Sequence, residues 1–232
     1  MISPHLAKTD LYKISGHYEK YKDSSFSEFS TPDQDETFML KPMNCPHHSE
    51  IYKAFPKSYK DLPYRLAENG NVSRFEPSGT LHGMTRVRCF CQDDAHIFCT
   101  TEQLGNEIGD VIALVRTVFK RLGFENYKAQ VSVRDKNNLS KYIGSADDWN
   151  RAENDLIQAA QIFNLNFEVV EGEAAFYGPK IDISLTDSMN RSWQLSTIQV
   201  DYQLPERFGL EYVGPDNKKH RPVMIHRAIF GS

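Results

Sequence analysis

Between residues 102 and 122 the apolar positions Leu104, Ile108, Val111, Ile112, Val115, Val118, Phe119 and Leu122 recur at i, i+4, i+7, i+8 and i+11. That spacing is one face of an α-helix, and Gly123 supplies a natural left-handed stop after it. Residues 147–163 repeat the pattern, with Trp149, Ala152, Leu156, Ala160 and Phe163 on one stripe. Strand-like runs lie between and after these helices, at 129–134, 166–170, 180–185 and 192–202. In the third of them Ile181, Ile183 and Leu185 alternate with Asp182, Ser184 and Thr186, the period of a half-buried antiparallel strand. Strands and helices mixed without a regular βαβ alternation predict an α+β fold, a mostly antiparallel sheet flanked by helices, in a single domain over 1–232.

The first third of the chain is less regular. Residues 1–38 are polar and loop-rich, and Ser24-Ser25, Pro32 and the acids at 33, 35 and 36 suggest a surface excursion. A short apolar run at 38–40 leads into Lys41-Pro42-Met43-Asn44-Cys45-Pro46-His47-His48. Its two prolines predict an irregular approach to a helix that begins at Ser49-Glu50-Ile51-Tyr52.

Composition narrows the class. With 232 residues, 40% hydrophobic and 25% charged, the chain can bury a real core, which argues against disorder, collagen and disulfide-dense mini-proteins. No apolar run approaches the roughly 18–20 residues of a membrane helix, and no secretory signal is visible at Met1-Ile2-Ser3-Pro4-His5. Cys45, Cys89, Cys91 and Cys99 are irregularly spaced and read as reduced thiols or metal ligands in a cytoplasmic setting. The net charge of −4 gives no global field for nucleic acid, so any RNA contact must be local.

The chemistry concentrates between Arg74 and Cys99. If residues 85–97 are extended, one face carries Arg86, Arg88, Phe90, Gln92, Asp94 and His96. The other carries Val87, Cys89, Cys91, Asp93, Ala95 and Ile97. A solvated strand could display charges, but two guanidiniums, an aromatic plate, an amide, a carboxylate and an imidazole suit a ligand with phosphate, a flat ring and an amine. Upstream, Arg74 and Glu76 share a face of the preceding strand, and 77–83 has the Gly and Pro of a long hairpin loop. Antiparallel pairing would bring Arg74, Glu76, Arg86 and Phe90 into one pocket, unless Glu76 and Arg88 merely form a cross-strand ion pair.

The run Arg74-Phe75-Glu76-Pro77-Ser78-Gly79, then 81–88 and 92–99, closely resembles motif 2 of the class II threonyl-tRNA synthetases. Four further segments match that family in order: Ser15-Gly16-His17-Tyr18, 41–48, 175–182 and Val223-Met224-Ile225-His226-Arg227-Ala228. The resemblance implies the class II catalytic fold and one zinc in the amino-acid pocket, on Cys45, His96 and His226. A thiolate and two imidazoles leave a four-coordinate zinc one open position. Local sites on Cys45 with His47 or His48, or on Cys89, Cys91 and His96, are the alternatives. Strand parity weakens the second, because Cys89 and Cys91 point away from His96.

In that family the zinc selects the substrate. Threonine chelates it through amino nitrogen and hydroxyl; valine has no hydroxyl to offer. A site built around a required polar contact rejects the analogue lacking it by about 10⁴–10⁵, against about 10² for an apolar pocket facing an added hydroxyl. The resemblance further implies Arg74 on the α-phosphate of ATP, Arg86 on the distal phosphates, Glu76 at the adenine edge and Phe90 stacked on the ring. Gln92, Asp94, Tyr177, Lys180 and Met43 would form the threonine pocket. Gln194, Thr197, Gln199 and Ser232 would reach the adenylate. Residues 194 and 199 have opposite parity, so they share a face only if the strand is bulged or the two contacts differ. Magnesium is expected with ATP, and His17 near the terminal ribose of tRNA(Thr), the alternative being a surface histidine before a turn.

Relative to the family pattern, most of motif 1, the end of motif 3 and the editing and anticodon-binding domains are expected to be missing. Activity would then be impaired and the family's homodimer weakened. Cys89 and Cys91 stand where a small Gly and a Thr are expected, with an effect on packing, and Phe75 replaces a polar residue. Three other readings stay open: a synthetase-like paralogue that binds amino acid or RNA without catalysis, a seryl-type or other class II enzyme, and a structural zinc domain.

Overall fold

The computed structural model describes residues 1–32 and 35–230. The chain runs β1 (Leu6–Lys8), α1 (Thr9–Ser15), α2 (His17–Lys20), β2 (Phe29–Ser30), β3 (Thr37–Leu40) and α3 (Cys45–Lys53). It continues with β4 (Tyr64–Ser73), β5 (Cys89–Cys99), α4 (Leu104–Leu122), β6 (Tyr127–Val133), α5 (Ala146–Ile162) and β7 (Phe167–Glu171). The last elements are β8 (Lys180–Thr186), β9 (Ser192–Asp201), α6 (Gln203–Arg207), β10 (Tyr212–Val213), β11 (Lys219–His220) and β12 (Val223–Ala228).

Seven strands form the main sheet in the order β4-β5-β12-β9-β8-β6-β7. Every pairing is antiparallel except β6–β7, which is parallel. The fold is therefore α+β and mostly antiparallel, with one departure: β6, α5 and β7 make a βαβ crossover, as a parallel pair requires.

Side-chain parity divides the sheet. Ile97, Ile181, Ile183, Leu185, Ile198, Val200 and Ile225 point to one face, where they pack with Leu104, Ile108, Ile112 and Val115 of α4 and Ala152, Leu156 and Ala160 of α5. On the other face Leu66, Phe98 and Met224 meet Cys45 and Tyr52 of α3 and Leu204 and Phe208 of α6. Helices α3 and α6 close that second face only in part. The open part carries the polar residues.

Four sequence expectations need correction. Residues 1–38 are loop-rich only in part: 9–20 form α1 and α2, with Thr9, Tyr12, Ser15 and His17 buried, while 24–32 are half-buried to exposed as the surface excursion expected there. Helix α3 starts at Cys45, not Ser49, because Pro46 falls in the first turn, where its missing N–H costs nothing. Residues 85–88 are turn and irregular backbone, so the extended run begins at Cys89 and excludes Arg86 and Arg88. Cys89 and Cys91 do lie opposite His96, but they are exposed and pack against no core.

Candidate functional site

The register of the central strands builds the site in rows. His96 of β5 stands directly opposite His226 of β12, which stands opposite Gln199 of β9, and Gln199 faces Lys180 of β8. Two residues along, the same face carries Glu68, Asp94, Ala228, Thr197 and Asp182. Between β8 and β9 the register shifts at Ile183/Ser184, so that Ser196 pairs with Ile183 while Gln194 pairs with Ser184. Leu195 is the extra residue. This bulge brings Gln194 to the face of Thr197 and Gln199.

Two adjoining cavities open on this face. The inner one, of 420 Å³, is walled by Met43, Cys45, Gln92, Asp94, His96, Tyr177, Lys180, Thr197, Gln199 and His226, among others. The outer one, of 650 Å³, holds Glu76, Arg86 and Phe90. Tyr21, Arg74, Gln92 and Gln194 border both. Arg74 is fixed at the junction: its Nε donates to the Pro42 carbonyl at 3.3 Å and its guanidinium lies 5.1 Å from the centroid of the Phe90 ring. Thus Arg74, Glu76, Arg86 and Phe90 do share a pocket, although Arg86 reaches it from a turn.

In the inner cavity Tyr177 stacks on His226 at 4.8 Å between centroids and donates its hydroxyl to Gln199 Oε1 at 2.6 Å. Asp94 accepts from Asn44 Nδ2 at 2.8 Å. Burial pushes its carboxyl up to about 6, with the Asn44 hydrogen bond opposing. Gly70 makes that hydrogen bond possible, because a Cβ there would sit 2.5 Å from the Asn44 amide. Asp182, which the alternation of β8 assigned to the solvent side, is buried beneath the site and gathers its polar wall. It accepts from Gln194 at 2.6 Å, Thr197 at 3.2 Å and Ser132 at 3.2 Å, and pairs with Lys180 at 2.7 Å. In the outer cavity Arg86 pairs with Glu76 at 3.0 Å; Arg88 instead donates to the Glu76 carbonyl and lies over Phe75.

Cys45, His96 and His226 each offer one ligand atom, and these atoms lie within 4.8 Å of one another. All three residues are buried. His96 Nε2 and His226 Nδ1 are 3.0 Å apart. The outer nitrogens of the two rings are already engaged: His226 Nε2 donates to Asp201 Oδ2 at 2.8 Å, and His96 Nδ1 meets His48 Nδ1 at 2.7 Å. With the ring protons on those outer nitrogens, the two facing nitrogens present lone pairs to each other. A cation between them and the sulfur reconciles the pair, so the residues fit a metal ion. Burial drives the Cys45 thiol well above its ordinary value and His96 well below, leaving a neutral imidazole. Among the described residues the alternative sites are not assembled: the ring nitrogens of His48 meet His96 and Glu68, the converging ligand group is Cys45, His96 and His226, and Cys89 and Cys91 lie on the other face of β5 from His96.

His17 is the other residue whose surroundings differ from expectation. It is fully buried, not a surface residue before a turn, and burial lowers its imidazole to about 3. Nδ1 lies 2.8 Å from Ser15 Oγ, while Nε2 faces Met43 Sδ at 3.1 Å and Cys45 Sγ at 3.7 Å. It stands behind the cavity wall. Ser232 lies outside the described residues.

A mostly antiparallel sheet with a polar site on its half-covered face, floored by β5, β12, β9 and β8 beside the paired strands β4 and β5, is the arrangement of the class II synthetase core. The chain belongs to the tRNA synthetase class II core domain family (G, H, P, S and T), which matches residues 26–232. Within that family it is similar to threonyl enzymes. It is 61% identical over 232 residues to the threonine--tRNA ligase of Flavobacterium psychrophilum, covering 100% of this chain. The chain spans 36% of the length of that relative. The RNA binding domain of threonyl-tRNA synthetase from Cryptosporidium parvum superposes with a TM-score of 0.93 at 43% identity, covering all of this chain and 56% of that one. The prolyl-tRNA synthetase of Giardia lamblia shares the fold alone, with a TM-score of 0.72 at 16% identity. Among the described residues no helix is long and apolar enough to cross a membrane.

Proposed function

We propose that this chain is the catalytic core of a threonine–tRNA ligase, which joins threonine to ATP as threonyl-adenylate and then to tRNA(Thr). The observation that carries this reading is the pair of adjoining cavities with Arg74 at their junction and Cys45, His96 and His226 in the inner wall. Threonine takes the inner cavity and ATP the outer. The threonine carboxylate attacks the α-phosphorus and pyrophosphate leaves; the terminal ribose hydroxyl of tRNA then attacks the acyl carbon and AMP leaves.

Arg74, held by Pro42 and Phe90, meets the charge that builds on the α-phosphate. Phe90 offers its face to adenine. Arg86, with a 59% exposed side chain, reaches the distal phosphates, exchanging its pairing with the half-buried Glu76 for theirs. Glu76 is then free for the adenine edge. Gln194, Thr197 and Gln199 address the adenylate, anchored through Asp182 and Tyr177. Magnesium accompanies the phosphates. Asp94 and Gln92 orient the amino group and hydroxyl of threonine, with Met43, Tyr177 and Lys180 closing the pocket.

Zinc is the metal proposed for Cys45, His96 and His226, which would hold it; bound there it would supply an open, Lewis-acidic position suited to a vicinal amino alcohol and not to valine. Serine retains the hydroxyl and lacks one methyl, worth only about 1–3 kcal/mol. His17 is read as a residue behind the thiol wall, with tRNA transfer left to groups on the cavity side.

ATP–pyrophosphate exchange by the protein that carries this chain tests the reading. Threonine is expected to drive exchange, serine to drive it weakly and valine by about 10⁴–10⁵ less. Exchange driven equally by valine, or none with threonine, overturns it.

A further inference from the structure

His96 is one of three residues that would hold the metal, and its second ring nitrogen does not end at a carbonyl or at solvent. It begins a buried chain. His96 Nδ1 lies 2.7 Å from His48 Nδ1, and His48 Nε2 lies 3.2 Å from Glu68 Oε1. Glu68 also accepts from the Ser3 hydroxyl at 2.6 Å and the Ser3 amide at 2.7 Å. Lys41, 1% exposed, donates to the Ser3 hydroxyl at 2.7 Å and stands 3.6 Å from the Glu68 carboxylate. These side chains are buried, so water cannot stand in for a missing partner.

From these contacts we infer that Lys41, Ser3, Glu68 and His48 form a positioning relay that locks His96 with its proton on Nδ1 and its Nε2 lone pair turned toward Cys45 and His226. The inference rests on the metal reading of that cluster. Direction is imposed from the far end. A carboxylate only accepts, so Glu68 takes the Nε2–H of His48. The other nitrogen of His48 must then accept, which it can do only if His96 donates from Nδ1. The remaining nitrogen of His96 is left unprotonated, as a metal ligand requires. Each link has one satisfying orientation, and Lys41 supplies the cation that holds the Glu68 charge in a buried place. Asp201 does the same for His226 in a single step, at 2.8 Å. His96 needs the longer chain because its outer nitrogen faces α3, and His48 is the α3 side chain that meets it.

The roles separate by substitution. Leucine at 48 keeps bulk and removes the acceptor; asparagine keeps an oxygen near the place of Nδ1. In the protein that carries this chain, zinc affinity is read by competition with a chromophoric chelator, and the site is probed with Co2+ for its ligand-field bands. His48→Leu is expected to weaken zinc by about 10–100-fold and to shift the Co2+ bands, while His48→Asn keeps most of the affinity and the spectrum. Glu68→Gln should resemble His48→Leu, because an amide can turn its N–H toward His48 and reverse the relay; Glu68→Asp should not.

Zinc affinity unchanged in His48→Leu, or equally poor in His48→Asn with the fold intact by circular dichroism, overturns the relay. If His48→Leu does not fold, the Gln and Asp variants at 68 make the same comparison, and equal affinities overturn it. Wild-type protein that binds no zinc overturns the metal reading instead.

Discussion

At the scale of single residues, the site is organised by groups that touch it from beneath. Asn44, the N-cap of α3, holds Asp94 across a gap that only a glycine at 70 leaves open. Gly70→Ala would place a methyl 2.5 Å from a buried amide. The amide must leave Asp94 or the strands must part. We expect a loss of about 1–3 kcal/mol in denaturant unfolding, together with weaker threonine binding by calorimetry. A variant with wild-type stability and affinity would show that Asn44 moves aside freely. Cys45, Asp94, His96 and His226 were legible as reactive types in resembling motifs. Glu68, Asp182 and Asp201 were not, because a buried acid and a solvated acid on an alternating strand look alike in sequence. Asp182 alternates with Ile181 and Ile183 as a surface residue would, yet its face is covered by the site it supports.

At the scale of elements, legibility followed the strength of the period. Helices α4 and α5 bury broad apolar stripes, and the structure returns them at Leu104–Leu122 and Ala146–Ile162, with Gly123 left-handed at φ 73°. Helices α1 and α2 bury Thr9, Ser15 and His17 beside Tyr12, so no apolar stripe marks them. Strand β4 turns Leu66, Glu68, Gly70 and Val72 inward, a series whose acid and glycine hide its alternation. The α4–α5 contact holds one position where local and tertiary preferences collide. Gly109 lies mid-helix, where alanine would gain about 1 kcal/mol of propensity. A Cβ there would fall 1.9 Å from the Phe163 ring. Overpacking at about 1–3 kcal/mol should win, so Gly109→Ala is expected to lose about 1 kcal/mol net in thermal or denaturant unfolding. A stabilised variant would mean that Phe163 rotates away at no cost.

At the scale of the molecule, the two faces of one sheet do different work. The α4/α5 face is apolar and gives stability, which leaves the opposite face free to carry charges and neutral imidazoles that a core would not tolerate. The antiparallel order was legible in part; the parallel β6–β7 pair was not, because a single crossover leaves no repeat for the eye to catch. Ligand and stability should therefore be coupled through the polar face. Cys45 comes from α3, His96 from β5 and His226 from β12, so an ion they share ties a helix to two strands, and a substrate that adds contacts there stabilises the folded chain alone. At 100 times its Kd, threonine is expected to add about 2.7 kcal/mol, or about 5–11 °C of Tm for a chain of this size. Valine at the same concentration should add almost nothing, and after a chelator has stripped the metal neither should act. Differential scanning calorimetry with each amino acid, before and after chelation, reads all four conditions. A valine shift equal to that of threonine would show that binding does not read the hydroxyl at all, and a threonine shift that survives chelation would place the reading in Asp94, Gln92 and Tyr177 alone.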